Sequence, residues 1–118
     1  MICLSIILVR PRTATVADPL SGLWTGDWGT TPSHRNLVTV HLTWDGTTLT
    51  GVVNPGPHAV EFTKATFDPR KAAVHFELEL VSAGRELHYV VDGVIEHGTS
   101  IGTWYNDDSR GNFRLIKK

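Results

Sequence analysis

Trp44-Asp45-Gly46-Thr47 lies between two alternating runs, Val38-Thr39-Val40-His41-Leu42-Thr43 and Thr48-Leu49-Thr50-Gly51-Val52-Val53. An Asp-Gly pair in that setting is the strongest short-range signal of a β-hairpin, because a type I′ turn needs positive φ at both central residues. Pairing Trp44 with Thr47 sets Leu42 opposite Leu49, Val40 opposite Gly51 and Val38 opposite Val53. His41 and Thr50 then meet on the other side. The apolar residues share one face, as a half-buried antiparallel pair requires.

Working outward, no segment of a dozen residues from Leu20 onward carries helical spacing, and period-two runs recur every ten to thirteen residues. They predict strands over Leu23–Gly29, Asn36–Trp44, Thr47–Val53, Val60–Phe67, Ala72–Val81, Glu86–Glu96, Thr99–Tyr105 and Asn112–Lys117. The connections are short and rich in Gly, Pro, Asn and Asp, so each strand pairs with its sequence neighbour. The simplest closure is an all-β, eight-stranded antiparallel up-and-down barrel, a meander that leaves no exposed edge.

The fifth and sixth strands keep the same phase. Leu80 faces Leu87, Leu78 faces Tyr89, Phe76 faces Val91 and Val74 faces Gly93, while Glu79 meets His88 and His75 meets Asp92 outside. One strand breaks step. Val60 and Phe62 share a face, as do Ala65 and Phe67, so a β-bulge is expected near Thr63-Lys64. The inward set contains Trp24, Trp28, Trp44 and Trp104, the glycines Gly26, Gly51, Gly93 and Gly102, and no charge. Inward glycines relieve crowding where a small barrel bends, and they also leave space. Whether that space is open or filled by the tryptophans stays undecided at this point.

The chain has 118 residues, enough for one core. A formal net charge of -1, without any Lys/Arg run, provides no electrostatic footprint for nucleic acid. No run is long enough for membrane insertion. The single cysteine, Cys3, excludes an intramolecular disulfide framework and a thiolate zinc site. Residues 1–17 differ in kind from the domain at 18–118. The apolar run Ile2–Val9 and the small residues Thr15 and Ala17 before Asp18 read as a signal peptide, which implies export to the periplasm or the extracellular space. A segment without structure, or a first strand, are the competing readings.

Gly22-Leu23-Trp24 resembles the Gly-x-Trp signature of lipocalins and the wider calycin group, and Gly102-Thr103-Trp104-Tyr105-Asn106 resembles an avidin motif. Small β-barrel domains of exported bacterial proteins have a similar overall pattern. The lipocalin resemblance implies a ligand-binding barrel in which an arginine of the last strand, here Arg114, covers Trp24.

In a meander the longer loops gather at one end. There an apolar well rimmed by polar groups is the usual form of a small-molecule site. The residues expected to form it are Trp28, His34, Arg35, Asn54, His58, Tyr89, Trp104 and Asp107. His34, His58 and Asp107 would be the only metal-binding or acid–base set, but they come from three loops without ligand spacing. No nucleophile elbow or phosphate loop is present. The expectation is therefore a lipocalin-like binder of an apolar small molecule, with neither metal nor cofactor. A non-catalytic interaction module and a barrel-type isomerase or cyclase using the polar rim are the alternatives.

Overall fold

Alternation of apolar and polar residues drives nearly every segment into strands. A computed structural model of the chain describes residues 18–118, the Ser82 side chain excepted, so the readings of residues 1–17 fall outside the described part. The strands are β1 (Gly22–Thr31), β2 (His34–Trp44), β3 (Leu49–Val53), β4 (Val60–Glu61), β5 (Lys64–Asp68), β6 (Ala73–Ser82), β7 (Arg85–Glu96), β8 (Thr99–Tyr105) and β9 (Arg110–Lys117). They form one antiparallel up-and-down sheet in the order β4-β3-β2-β1-β9-β8-β7-β6-β5.

This is not the eight-stranded barrel that the spacing predicts. The expected fourth strand, Val60–Phe67, is two strands on opposite ends of the hydrogen-bonded order. Its break falls where the phase error lies. Phe62 donates its N–H to Gly51 O on β3 (3.1 Å), and Thr63 donates its N–H to Glu77 O on β6 (2.8 Å). The chain changes partner between adjacent residues instead of bulging, which resets the alternation and keeps Phe62 and Phe67 on the interior side. Across this step Phe62 stacks on Phe76 (4.4 Å between centroids) and Trp44 meets Phe67 edge-on (5.3 Å), so the two ends of the sheet curl toward each other.

The opening hairpin also differs in register. Trp44 pairs with Leu49, Leu42 with Gly51 and Val40 with Val53, two residues along from the predicted pairing. Gly46 has φ +103, but Asp45 is not among the positive-φ residues, so the I′ condition fails. Instead the Asp45 carboxylate accepts the N–H groups of Thr47 (2.9 Å) and Thr48 (2.7 Å), capping a four-residue loop. A slip of two preserves the facing of every side chain, whereas a slip of one would invert it. The paired-positive-φ turns occur at Ala83-Gly84 and His97-Gly98. The first joins β6 to β7, which take the predicted register from Val74–Gly93 to Leu80–Leu87, and the second joins β7 to β8, where Gly93 faces Gly102.

The two ends of the interior are packed differently. At the end where β1 begins, Asp18 accepts the N–H groups of Leu20 (3.1 Å) and Ser21 (2.9 Å), turning the chain inward. Leu20 and Trp24 are 0% exposed, and the Trp24 indole donates to Leu20 O (2.8 Å). Leu20 thus takes the covering place that the lipocalin resemblance gives to Arg114. Arg114 pairs with Asp27 in the register and is exposed, on the face opposite Trp24. Leu42, Leu49, Val74 and Ile95 complete this floor. Fully burying such a side chain contributes roughly 1.5–3 kcal/mol.

Close approach of strands explains why Gly102 must be glycine. A Cβ there would lie 2.0 Å from Asp92 O and 2.5 Å from the Gly93 Cα. Gly102→Ala should therefore cost about 2–3 kcal/mol through overpacking. Gly46→Val, in open space but at φ +103, should cost about 1–2 kcal/mol through backbone strain. Urea midpoints should rank the two variants in that order. Ser100 is 3% exposed and its Oγ has no hydrogen-bond partner among the described residues. Removing an unsatisfied buried hydroxyl is close to neutral or favourable, so Ser100→Ala should leave the midpoint unchanged or raise it.

Candidate functional site

Above the floor the interior is open. A cavity of about 150 Å³ lies between the two halves of the sheet, walled by Val38 and Val53 from β2 and β3, Phe62 at the partner change, and Leu78, Leu80 and Val91 from β6 and β7. Trp28, Tyr89 and Trp104 line it toward the end that carries the 32–33, 54–59, 83–84 and 106–109 connections. These three rings pack together. Trp28 stands edge-on to Trp104 (5.0 Å, 85°) and to Tyr89 (6.0 Å, 86°), and Trp104 lies 5.7 Å from Tyr89. The tryptophans are thus divided: Trp24 and Trp44 fill the lower core, while Trp28 and Trp104 face space.

Of the predicted site residues, Trp28, Asn54, Tyr89 and Trp104 line this cavity, and His34, Arg35, His58 and Asp107 do not. Arg35 departs for reasons of phase. It bonds Asp27 Oδ1 (2.7 Å) and Asn112 Oδ1 (2.7 Å), which places it with them on the outer wall. His34 is exposed and its Nδ1 is held by Thr31 Oγ1 (2.9 Å). His58 is exposed in the 54–59 loop, and Asp107 is exposed in a turn whose Asp108 and Ser109 N–H groups bond Asn106 Oδ1. Of the predicted polar rim, Asn54 belongs to the lining and His34, Arg35, His58 and Asp107 do not. Val60, Phe62, Leu78, Val91, Phe113 and Leu115 belong to it instead. Their signal was the inward alternation itself, which marks core and cavity wall alike.

Asn54 is held at the mouth by its backbone. With φ +52 it donates its N–H to Thr39 O (2.6 Å), and its Oδ1 accepts the Thr39 N–H (3.2 Å). The Trp104 indole donates to Gly29 O (3.3 Å). Asp, Glu, Lys, Arg and His are all missing from the described lining.

A second polar cluster lies outside, on β6 and β7. His75 Nδ1 contacts Asp92 (2.6 Å) and its Nε2 contacts Glu77 (2.7 Å), while His88 bonds Glu79 through Nδ1 and Glu77 through Nε2 (3.2 Å). The His75–Asp92 and Glu79–His88 pairs follow from the sequence register. Glu77, which joins them, is opposite Val90 and escapes a reading made only of facing pairs. Both nitrogens of each imidazole face carboxylates, which favours the imidazolium. Hydrogen bonding to Glu77 and Asp92 raises the His75 pKa, and hydrogen bonding to Glu79 raises that of His88. The His75 hydrogen bond lowers that of Glu77. No group of three or more His, Cys, Asp or Glu side chains arranged to hold a metal ion occurs among the described residues.

Comparison of the chain with protein families, curated proteins and solved structures returns no significant match. No described helix is long and apolar enough to cross a membrane.

The outer cluster makes stability pH-dependent with a definite sign. His75 and His88 have folded pKa values above the ordinary 6.5, so their contribution is complete below that pH and disappears as pH rises through the folded values. Glu77, lowered from 4.5, contributes above that pH and loses its share as pH falls through its folded value. The urea midpoint should therefore be highest between about pH 5 and 6.5 and decline on the alkaline side. The double variant His75→Gln/His88→Gln should flatten that decline. Because the cluster is only partly buried, 1 M salt should flatten it too.

Proposed function

We propose that the curled sheet works as a closed barrel that holds a small apolar molecule in its interior, as a lipocalin-like carrier or sensor. The observation that carries this reading is the cavity of about 150 Å³ with an apolar, aromatic-rich lining above a sealed floor. A core built only for stability gains from filling such space, since each unfilled void forfeits packing contacts. Gly22-Leu23-Trp24 adds the lipocalin-like Gly-x-Trp pattern. The run Ile2–Val9, with small residues before Asp18, favours an exported protein.

The isomerase or cyclase reading would need two titratable groups within hydrogen-bonding reach over the cavity. His34, His58 and Asp107, the groups on which it relied, do not line it. The interaction-module reading requires an interior that takes no ligand, and the same experiment separates it. An environment-sensitive apolar dye, followed by its own emission, should bind saturably to the wild-type protein. Val53→Trp, which places an indole in the cavity wall, should weaken dye binding at least tenfold while the protein stays folded. Absence of saturable binding to the wild type would leave the interaction module as the better account.

A further inference from the structure

A small apolar molecule is the broadest class of guest that the interior admits. The cavity says more about it. Resting on the interior-binding reading, we infer that the cavity selects a neutral, single-ring aromatic molecule carrying one hydrogen-bond acceptor. Trp28, Tyr89 and Asn54 would be its specificity-determining residues.

Size is the first constraint. Sites for drug-sized ligands usually enclose about 300–1,000 Å³, whereas an apolar protein cavity of about 150 Å³ accommodates benzene. The volume here, about 150 Å³, belongs with the second class. A long acyl chain or a polyene could not be enclosed whole without pushing aside the packed floor of Leu20 and Trp24, both 0% exposed.

Shape is the second. The lining contains Trp28, Phe62, Phe76, Tyr89, Trp104 and Phe113. Trp28 presents its ring nearly perpendicular to Trp104 and Tyr89, and Phe62 and Phe76 lie nearly parallel (15°). A guest among these rings meets both faces and edges. Edge-to-face and offset-stacked contacts reward an aromatic guest beyond the area it buries.

Polarity is the third. With no ionisable acid or base other than the Tyr89 phenol in the lining, a charged guest would be buried without a counter-ion, at high cost. Donors are available, however. The Trp104 indole N–H is taken by Gly29 O. The Trp28 indole N–H, the Tyr89 hydroxyl and the Asn54 amide NH₂ are not among the buried unpartnered atoms of the described residues, and Asn54 is exposed, so these donors lie where water reaches them. The side-chain oxygen of Asn54 is occupied by the Thr39 N–H, which leaves its NH₂ as the available end. A guest with one carbonyl or ether oxygen gives these donors a partner.

Calorimetric titration with acetophenone, ethylbenzene, benzoate and palmitate tests the three constraints together. The protein is compared with Tyr89→Phe/Asn54→Gly, glycine being chosen because φ at position 54 is +52. Acetophenone should bind one per chain, more tightly than benzoate or palmitate, and should shift the Trp28 indole N–H resonance. The double variant should bind acetophenone roughly three- to tenfold more weakly, the net worth of a neutral hydrogen bond, and ethylbenzene equally well. An equal change for both ring compounds would overturn the acceptor requirement, and tighter binding of benzoate would overturn neutrality. Palmitate binding more tightly than either ring compound would overturn the size limit while leaving interior binding intact. Failure of all four together with the apolar dye would remove the interior-binding reading itself.

Discussion

The change of partner between Phe62 and Thr63 is the constraint on which the enclosed interior depends. One N–H goes to Gly51 on β3 and the next to Glu77 on β6, so two adjacent residues tie the two ends of the hydrogen-bonded order together. A continuous strand would have kept a single phase and turned either the Val60–Phe62 pair or the Ala65–Phe67 pair to solvent. Breaking the strand lets both pairs face inward. It also puts Phe62 against Phe76 and Phe67 against Trp44, giving the junction an aromatic lining in place of a ladder. The junction is therefore apolar inside and thinly hydrogen-bonded along its length.

The interior divides the work of stability and of binding between its two ends. Leu20 folds in over Trp24 and satisfies its indole, so the floor is closed to solvent at both residues. Toward the other end the rings thin into a cavity, and half-buried Trp28 and Tyr89 stand where a filled core would place closely packed aliphatic residues. Inward glycines make this possible by letting neighbouring backbones approach, as Gly102 does against Asp92 and Gly93. The sheet thus bends tightly around a small space without needing large side chains to hold it apart.

Much of this was legible in the sequence, for a reason that also explains the misses. Period-two alternation reports which face a residue takes, and the facing of Leu42, Phe76, Leu78 and Tyr89 followed from it. Alternation is blind to a slip of two, so the Asp45 loop shifted the β2–β3 register without disturbing the faces. The phase conflict at Thr63-Lys64 was visible, but a bulge and a change of partner leave the same trace in one chain. The polar rim rested on a different signal. Loop parity places His34, His58 and Asp107 at the right end of the sheet, yet says nothing of which way an exposed side chain turns. Arg35 was misread although its phase, shared with Asp27, already assigned it to the outer wall. Leu20 lay ahead of the first predicted strand, and no periodicity extends to a residue placed by an Asp18 turn.

The strands at the two ends of the described chain, β1 and β9, pair with each other in the middle of the sheet, Trp24 opposite Lys117 and Trp28 opposite Phe113. During synthesis β1 can bond only β2, and β8 only β7, until the last strand has left the ribosome. Before β9 arrives the domain therefore consists of two partial sheets joined only at the Phe62–Thr63 step, with β1 and β8 as open edges at what will become its centre. Such edges are templates for unwanted strand addition, and pairings of high sequence separation form slowly. The domain is most vulnerable to association while β9 is missing, and arrival of β9 both closes the gap and ends that exposure. A chain lacking its last strand would be a sheet with two unpaired central edges, not a slightly smaller version of the same protein.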